Sequence, residues 1–246
     1  MALSLDAAAR THVGLVRRRN EDALYAGEWL FAVADGLGGH VAGDIASATV
    51  IDILRSLDHA ARPDELPTLF GRAIHAANSA LRERIEAEPE LAGMGSTLVA
   101  LLWSGTSAIV ANIGDSRAYV LRTTSGEDLK LIQITEDHVY GNLVADASQV
   151  PNLPERLSRF LDGRADGRSP DITSRGLHDG DRLLLCSDGL TAVVPGGLIR
   201  DVLASFDDPR EAADRLIDLA NEQGGPDNVT VIVIDVRDRD ADTSTN

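Results

Sequence analysis

Residues 229–236, Val-Thr-Val-Ile-Val-Ile-Asp-Val, are apolar on both of the faces that alternate along an extended chain. A strand with one face in water would be polar at every second position, so this one needs cover on both sides, as an inner strand of a layered sheet structure has. Shorter runs of the same kind occupy residues 29–34, 98–103, 108–113, 118–121 and 182–186, with short polar turns between several of them. The rest of the fold has to be arranged around these buried strands.

Between the early and late strands the period changes. Ala46, Val50, Ile53 and Leu57 fall at helical spacing, and so do Leu66, Phe70, Ala73, Ala77, Leu81 and Ile85. A third helix is predicted over 209–223, where Asp208 can cap the first turn, Pro209 suits its first position and Gly224 can end it. Helices clustered between groups of strands imply an α+β fold with mostly antiparallel sheets, not alternating βαβ units. Residues 136–170 mix Gly, Pro and Asp with weak periodicity and read as an irregular insert. Residues 237–246 read as a polar tail, leaving 1–236 as one domain.

Composition excludes several classes of function. The formal net charge of −16 opposes binding to nucleic-acid backbones and anionic membrane surfaces. Cys186 is the only cysteine, which rules out an internal disulfide framework and any zinc site built on several thiolates. Residues 1–10 lack the charged start and apolar run of a signal peptide, and no stretch approaches a membrane span, so the expected location is the cytoplasm. No coiled-coil heptads appear, which makes a monomer the expected state.

The chemistry starts where apolar runs end in acid and glycine. Asp35 closes one run in Ala34-Asp35-Gly36-Leu37-Gly38-Gly39-His40, Asp188 closes another in Ser187-Asp188-Gly189, and Asp115 follows a third in Gly114-Asp115-Ser116-Arg117. A strand end is a stiff mount, and a flanking glycine lets backbone approach an ion, so such aspartates could converge on one hard cation. Taken singly, each Asp-Gly is more simply a turn.

The set as a whole resembles the ordered motifs of the PP2C (PPM) family of metal-dependent protein serine/threonine phosphatases, in its compact bacterial form. The matching elements are residues 14–22 (Gly-Leu-Val-Arg-Arg-Arg-Asn-Glu-Asp), 35–40, 95–97 (Gly-Ser-Thr), 114–117, 187–189 and Asp227-Asn228. The resemblance implies a four-layer α/β/β/α sandwich that removes phosphate from phosphoserine and phosphothreonine on proteins. The attacking group would be a hydroxide bridging two Mg²⁺ or Mn²⁺ ions, with no phosphoenzyme. Asp35 would bridge both metals, Asp188 and Asp227 would ligate one, and the Gly36 carbonyl and Glu21, through water, would serve the other. Asp115 with Asp188 matches a third metal site. His40 is the candidate acid for the leaving group, Arg17 the phosphate-binding arginine, and Asp22 a residue that orients its neighbours. Phosphorylated proteins are the implied substrates, and a serine/threonine kinase the implied counterpart.

Competing readings fail on particular residues. A dinucleotide fingerprint starting at Gly36 would need glycine where Val41 stands, and no Walker A loop surrounds Lys130, the sole lysine. Cys186 is followed by no arginine up to Val193, against a cysteine-based phosphatase. A calcium loop from Asp162 would place Arg164 and Thr173 at ligand positions. The alternative from another class is a catalytically silent module that binds phosphoproteins or regulates a kinase. It would show an eroded motif set, whereas every matched ligand position keeps its oxygen-bearing residue. The covering flap, within residues 136–170, is shorter than usual for the family, and Glu155 stands there in place of a small residue.

Overall fold

Buried backbone amides and carbonyls have to pair, and the apolar runs satisfy one another in two antiparallel sheets. The computed structural model describes residues 3–38, 42–124, 128–144, 146–165 and 169–239. Its strands are β1 (Leu3–His12), β2 (Asp22–Ala26), β3 (Leu30–Leu37), β4 (Gly95–Ser96), β5 (Leu98–Trp103), β6 (Ala108–Ile113), β7 (Arg117–Thr123), β8 (Leu129–Gln133), β9 (Asp171–Arg175), β10 (Arg182–Cys186) and β11 (Val229–Asp238). The α-helices are α1 (Ala42–Leu54), α2 (Leu66–Ala87), α3 (Tyr140–Leu143), α4 (Asp188–Thr191), α5 (Gly196–Ser205) and α6 (Pro209–Glu222). One sheet runs in the order β1-β11-β10-β7-β8; the other runs β2-β3-β5-β6-β9, with β4 beside β3.

The period of two along each inner strand divides the core into three apolar layers. On β11, Val229, Val231 and Val233 pack under α5 and α6, while Ile232, Ile234 and Val236 point to the other sheet. On β3, Leu30, Ala32 and Ala34 pack under α1 and α2, while Phe31 and Val33 face inward against Leu183, Leu185 and Ile232. The result is the α/β/β/α sandwich with antiparallel sheets. The helix at the 209 position starts as expected, with Asp208 accepting a hydrogen bond from the Arg210 amide at 2.8 Å.

Some elements differ from the sequence reading. Strand β11 continues to Asp238, so part of the expected tail is strand: Arg237 pairs in register with Ser4 and its guanidinium reaches Asp6 and Asp235. Within 136–170 lie α3 and a short 3₁₀ turn at Ala147–Gln149, and isolated strand bridges join Val139 to Leu157 and Leu161 to Ser96. The second bridge ties the insert to the strand neighbouring Gly36 and Leu37.

Asp235, the one acid inside the apolar run, has a structural explanation. It lies opposite Arg182 on β10, and the two side chains form an ion pair with both partners about one-tenth exposed. The same guanidinium donates to the carbonyls of Leu203, Phe206 and Asp207, which the end of α5 leaves without helical partners. Breaking one side of a buried pair costs about 3–5 kcal/mol. Arg182→Ala is therefore expected to lower the unfolding free energy in urea by that amount, whereas Asp208→Ala should cost only about 1 kcal/mol.

Candidate metal centre

Five carboxylates from separate parts of the chain meet at one end of the sandwich because their strands end there. Asp22 opens β2 and Asp35 lies near the end of β3, directly opposite each other in the antiparallel register. Asp188 follows β10, Asp227 precedes β11, and Asp115 sits in the turn between β6 and β7. Asp35 and Asp188 lie close enough that each perturbs the ionisation of the other.

Local sequence explains how each is held. The Asp35 amide donates to Thr97 Oγ1 at 3.0 Å, and its carbonyl accepts from the Thr97 amide at 2.9 Å and Ser96 Oγ at 3.1 Å. Asp22 Oδ2 accepts from Ser187 Oγ at 2.8 Å and Thr230 Oγ1 at 2.7 Å, so hydroxyls of one sheet orient an acid of the other. Asn228 accepts from the Glu21 amide at 2.8 Å and donates to the carbonyls of Val13 at 2.9 Å and Arg19 at 2.8 Å, pinning both limbs of the loop that carries Arg17. Gly189 allows this packing, since a Cβ there would stand 1.9 Å from the Asn228 carbonyl oxygen.

Glu21 and the Gly36 carbonyl also meet. A Cβ on Gly43, in the first turn of α1, would lie 2.4 Å from Glu21 Oε2 and 2.9 Å from the Gly36 oxygen, so both line one small volume. Arg17, half exposed, donates to Asp227 Oδ2 at 2.6 Å on the rim of the cluster. His40 lies outside the described residues.

The electrostatics follow from crowding acids under apolar strands. Burial raises Asp22 to about 6, helped by the charges of Asp188 and Asp227 and opposed by the two hydroxyl bonds. Burial, then the charges of Asp22, Asp188 and Asp115, hold Asp35 well above the usual carboxylate range. Asp115 is pushed up to about 7 by burial and by Asp188. Asp188 is raised by burial and by Asp227, with Arg17 and Arg117 opposing, and Glu21 is raised by burial with Arg17 opposing.

These residues fit a hard divalent cation. Asp22 Oδ1 and Asp188 Oδ1 are buried without a hydrogen-bond partner, an arrangement costly for carboxylates unless a cation is near. All the donors are oxygens, which favours Mg²⁺ or Mn²⁺ over zinc. Among the described residues no three His, Cys, Asp or Glu side chains close tightly round a single point. An ion here would complete its shell with backbone carbonyl and water, as Mg²⁺ commonly does.

The comparisons with known proteins bear on the same residues. The sequence profile of protein phosphatase 2C matches residues 16–228. The chain belongs to the protein phosphatase 2C family. It is 43% identical over 247 residues to the serine/threonine protein phosphatase PstP of Mycobacterium tuberculosis, a match covering 98% of this chain and 46% of PstP. The chain thus spans about half the length of that curated relative. The serine/threonine phosphatase Stp of Listeria welshimeri is 34% identical, with 92% of this chain and 94% of Stp covered. The crystal structure of the PstP catalytic domain in complex with two manganese ions superposes with a TM-score of 0.87 at 44% identity, covering 96% of this chain and all of that one. In this phosphatase 2C chain the motif residues Asp35, Asp115, Asp188 and Asp227 lie in one cluster, with Asp22 held beside them by the Ser187 and Thr230 hydroxyls.

Sequence reasoning did not single out His138 or Asp137. His138 is buried, which lowers its pKa, and Arg117 is clamped to Asp137 by contacts down to 2.6 Å. The signal was short: Asp137-His138 sits between two segments without clear periodicity.

The raised acids set the pH dependence of the metal-free protein. The Asp22 pKa is near 3.8 unfolded and about 6 folded, so the folded state takes up a proton in that window and is penalised above it. Asp22→Asn is therefore expected to stabilise the metal-free protein at pH 7.5, by up to about 1.4 kcal/mol for every tenfold difference in proton affinity between the folded and unfolded states. The gap should shrink as pH falls through 6 and vanish near 4, which chemical denaturation in the presence of chelator at several pH values would measure. A gap independent of pH would contradict the burial argument.

Proposed function

We propose that this chain hydrolyses phosphoserine and phosphothreonine monoesters on proteins, using a pair of Mg²⁺ or Mn²⁺ ions and no phosphoenzyme, and that residues 1–236 act as one catalytic unit. The observation that carries the reading is the convergence of Asp22, Asp35, Asp115, Asp188 and Asp227, with two buried carboxylate oxygens left without partners. The two manganese ions in the PstP structure support it.

The roles are those the family resemblance assigns, and the convergence of these residues supports them. Asp35, which feels the charges of Asp22, Asp188 and Asp115, would bridge the two ions, and Asp188 and Asp227 would hold one of them. The Gly36 carbonyl and Glu21, which share one volume beside Gly43, would hold the second ion, and Asp115 with Asp188 would offer a third position. When bound, the ions neutralise phosphate charge and acidify water for in-line attack, so no protein nucleophile is required. Cys186 would make a poor one: it is buried, and burial pushes its thiol up to about 12.

Arg17 reaches the cluster from the solvent side, where its guanidinium can present paired donors to phosphate oxygens. The serine or threonine alkoxide is a poor leaving group, and a placed acid contributes about 10²- to 10⁴-fold. His40 is assigned that role from its place in the glycine-rich motif.

With Mn²⁺ the purified chain is expected to release phosphate from a phosphothreonine peptide, and chelator should abolish release. Asp35→Ala and Asp188→Ala should fall to the chelated level while remaining folded; undiminished turnover in both would end the assignment. Arg17→Lys should raise KM about tenfold, since a lysine cannot reproduce the paired donors.

A further inference from the structure

One buried side chain beside the centre plays no part in the chemistry above. His138 is 3% exposed and belongs to the segment that leads into the flap. Its Nδ1 accepts a hydrogen bond from the Gly114 amide at 3.1 Å. Its own amide donates to the Gly114 carbonyl at 2.9 Å. Both bonds fall on the residue immediately before Asp115, so His138 grips that turn from two sides.

The ring's other nitrogen faces a different element. Nε2 lies 3.1 Å from Asp171 Oδ2 on β9. A backbone amide can only donate, so Nδ1 must be the lone-pair nitrogen, and Nε2 carries the proton toward the carboxylate. Asp171 also accepts from Arg159 of the flap at 3.1 Å. The His138 carbonyl accepts from the Ser158 amide at 2.8 Å, and Val139 bridges to Leu157. Asn112, on the strand leading to Asp115, donates to the Glu136 carbonyl at 2.9 Å and fixes the same segment from below.

The geometry points to His138 as a positioning residue: through its Nδ1 lone pair it fixes the Gly114-Asp115 turn, and through Nε2 and its backbone it couples that turn to the flap. This rests on the reading of Asp115 as a metal ligand given above. It adds that the flap and the outer metal position move as one unit, with His138 as the joint. Partners that orient ligating groups in this way commonly change metal affinity 10- to 100-fold when removed.

Two polar substitutions separate the two ends of the ring. His138→Asn places an acceptor near the Nδ1 position, and His138→Gln places a donor near Nε2. In the full chain, His138→Gln and His138→Leu are expected to raise the Mn²⁺ concentration for half-maximal phosphopeptide hydrolysis roughly tenfold or more. The loss in kcat at saturating Mn²⁺ should be smaller, and His138→Asn should recover most of the Mn²⁺ response. In metal-free protein, amide exchange at Gly114 should quicken in His138→Gln and stay slow in His138→Asn. Nitrogen NMR of the wild-type ring should show Nε2 protonated and Nδ1 bare. If His138→Leu fails to fold, the Asn and Gln pair still decides. Equal Mn²⁺ responses in those two, or a protonated Nδ1, would overturn the proposal. Absence of phosphate release from the wild type would instead defeat the proposed function, while the exchange and NMR readings would still judge the joint.

Discussion

Mutual repulsion among buried carboxylates is the constraint around which this end of the molecule is organised. Asp22 and Asp35 face each other across paired strands, a placement that ordinarily destabilises a sheet. Two unit charges about 4 Å apart at an effective dielectric near 20 repel by about 4 kcal/mol. Burial adds to that cost and the Ser187 and Thr230 hydroxyls offset part of it, while the three apolar layers behind the cluster hold the strands in place. Leu30, Phe31, Leu185 and Ile232 are all fully or almost fully buried, and they hold the strands that carry the acids. The acids are thus mounted on the stiffest part of the fold.

Stiffness alone would leave the carboxylates free to turn away from one another. Side chains of ordinary polarity prevent this. Thr97 and Ser96 fix the backbone of Asp35, Ser187 and Thr230 hold one oxygen of Asp22, and Asn228 closes the loop behind Glu21. Several of these bonds cross between the two sheets, so the centre is also a seam. Displacement of one sheet against the other would be felt first at Asp22, whose orienting hydroxyls both come from the opposite sheet.

How much of this was legible in the sequence depends on how local each signal is. The inner strands were readable because burial on both faces leaves a continuous apolar run, and the long helices because their apolar stripes persist for several turns. The motif aspartates were readable because acid and glycine recur at strand ends. Strands β1, β2, β8 and β9 were not, since they are short, partly exposed or alternate small and polar residues. Asp22 could be expected to have an orienting role, but its raised pKa comes from burial in the folded core and from the charges of Asp188 and Asp227, all remote in sequence. His138 was hidden for the same reason: its meaning lies in Gly114 and Asp171, neither of which neighbours it in sequence.

The distribution of arginines carries the argument one step further. Arg17 and Arg117 both lower the pKa of Asp188, so the cluster is partly neutralised from within. Arg117 is committed to Asp137 by short contacts and can give little more. Arg17 is half exposed on a loop and holds Asp227 through one contact, so it can turn toward an incoming anion. A buried guanidinium pointed at the centre of the cluster would stabilise the resting protein, but it would compete with divalent ions for the same oxygens. Affinity for a cation is the difference between the repulsion it relieves and the neutralisation already present. A cluster left under-neutralised, with the half-exposed Arg17 on its rim, keeps that difference large.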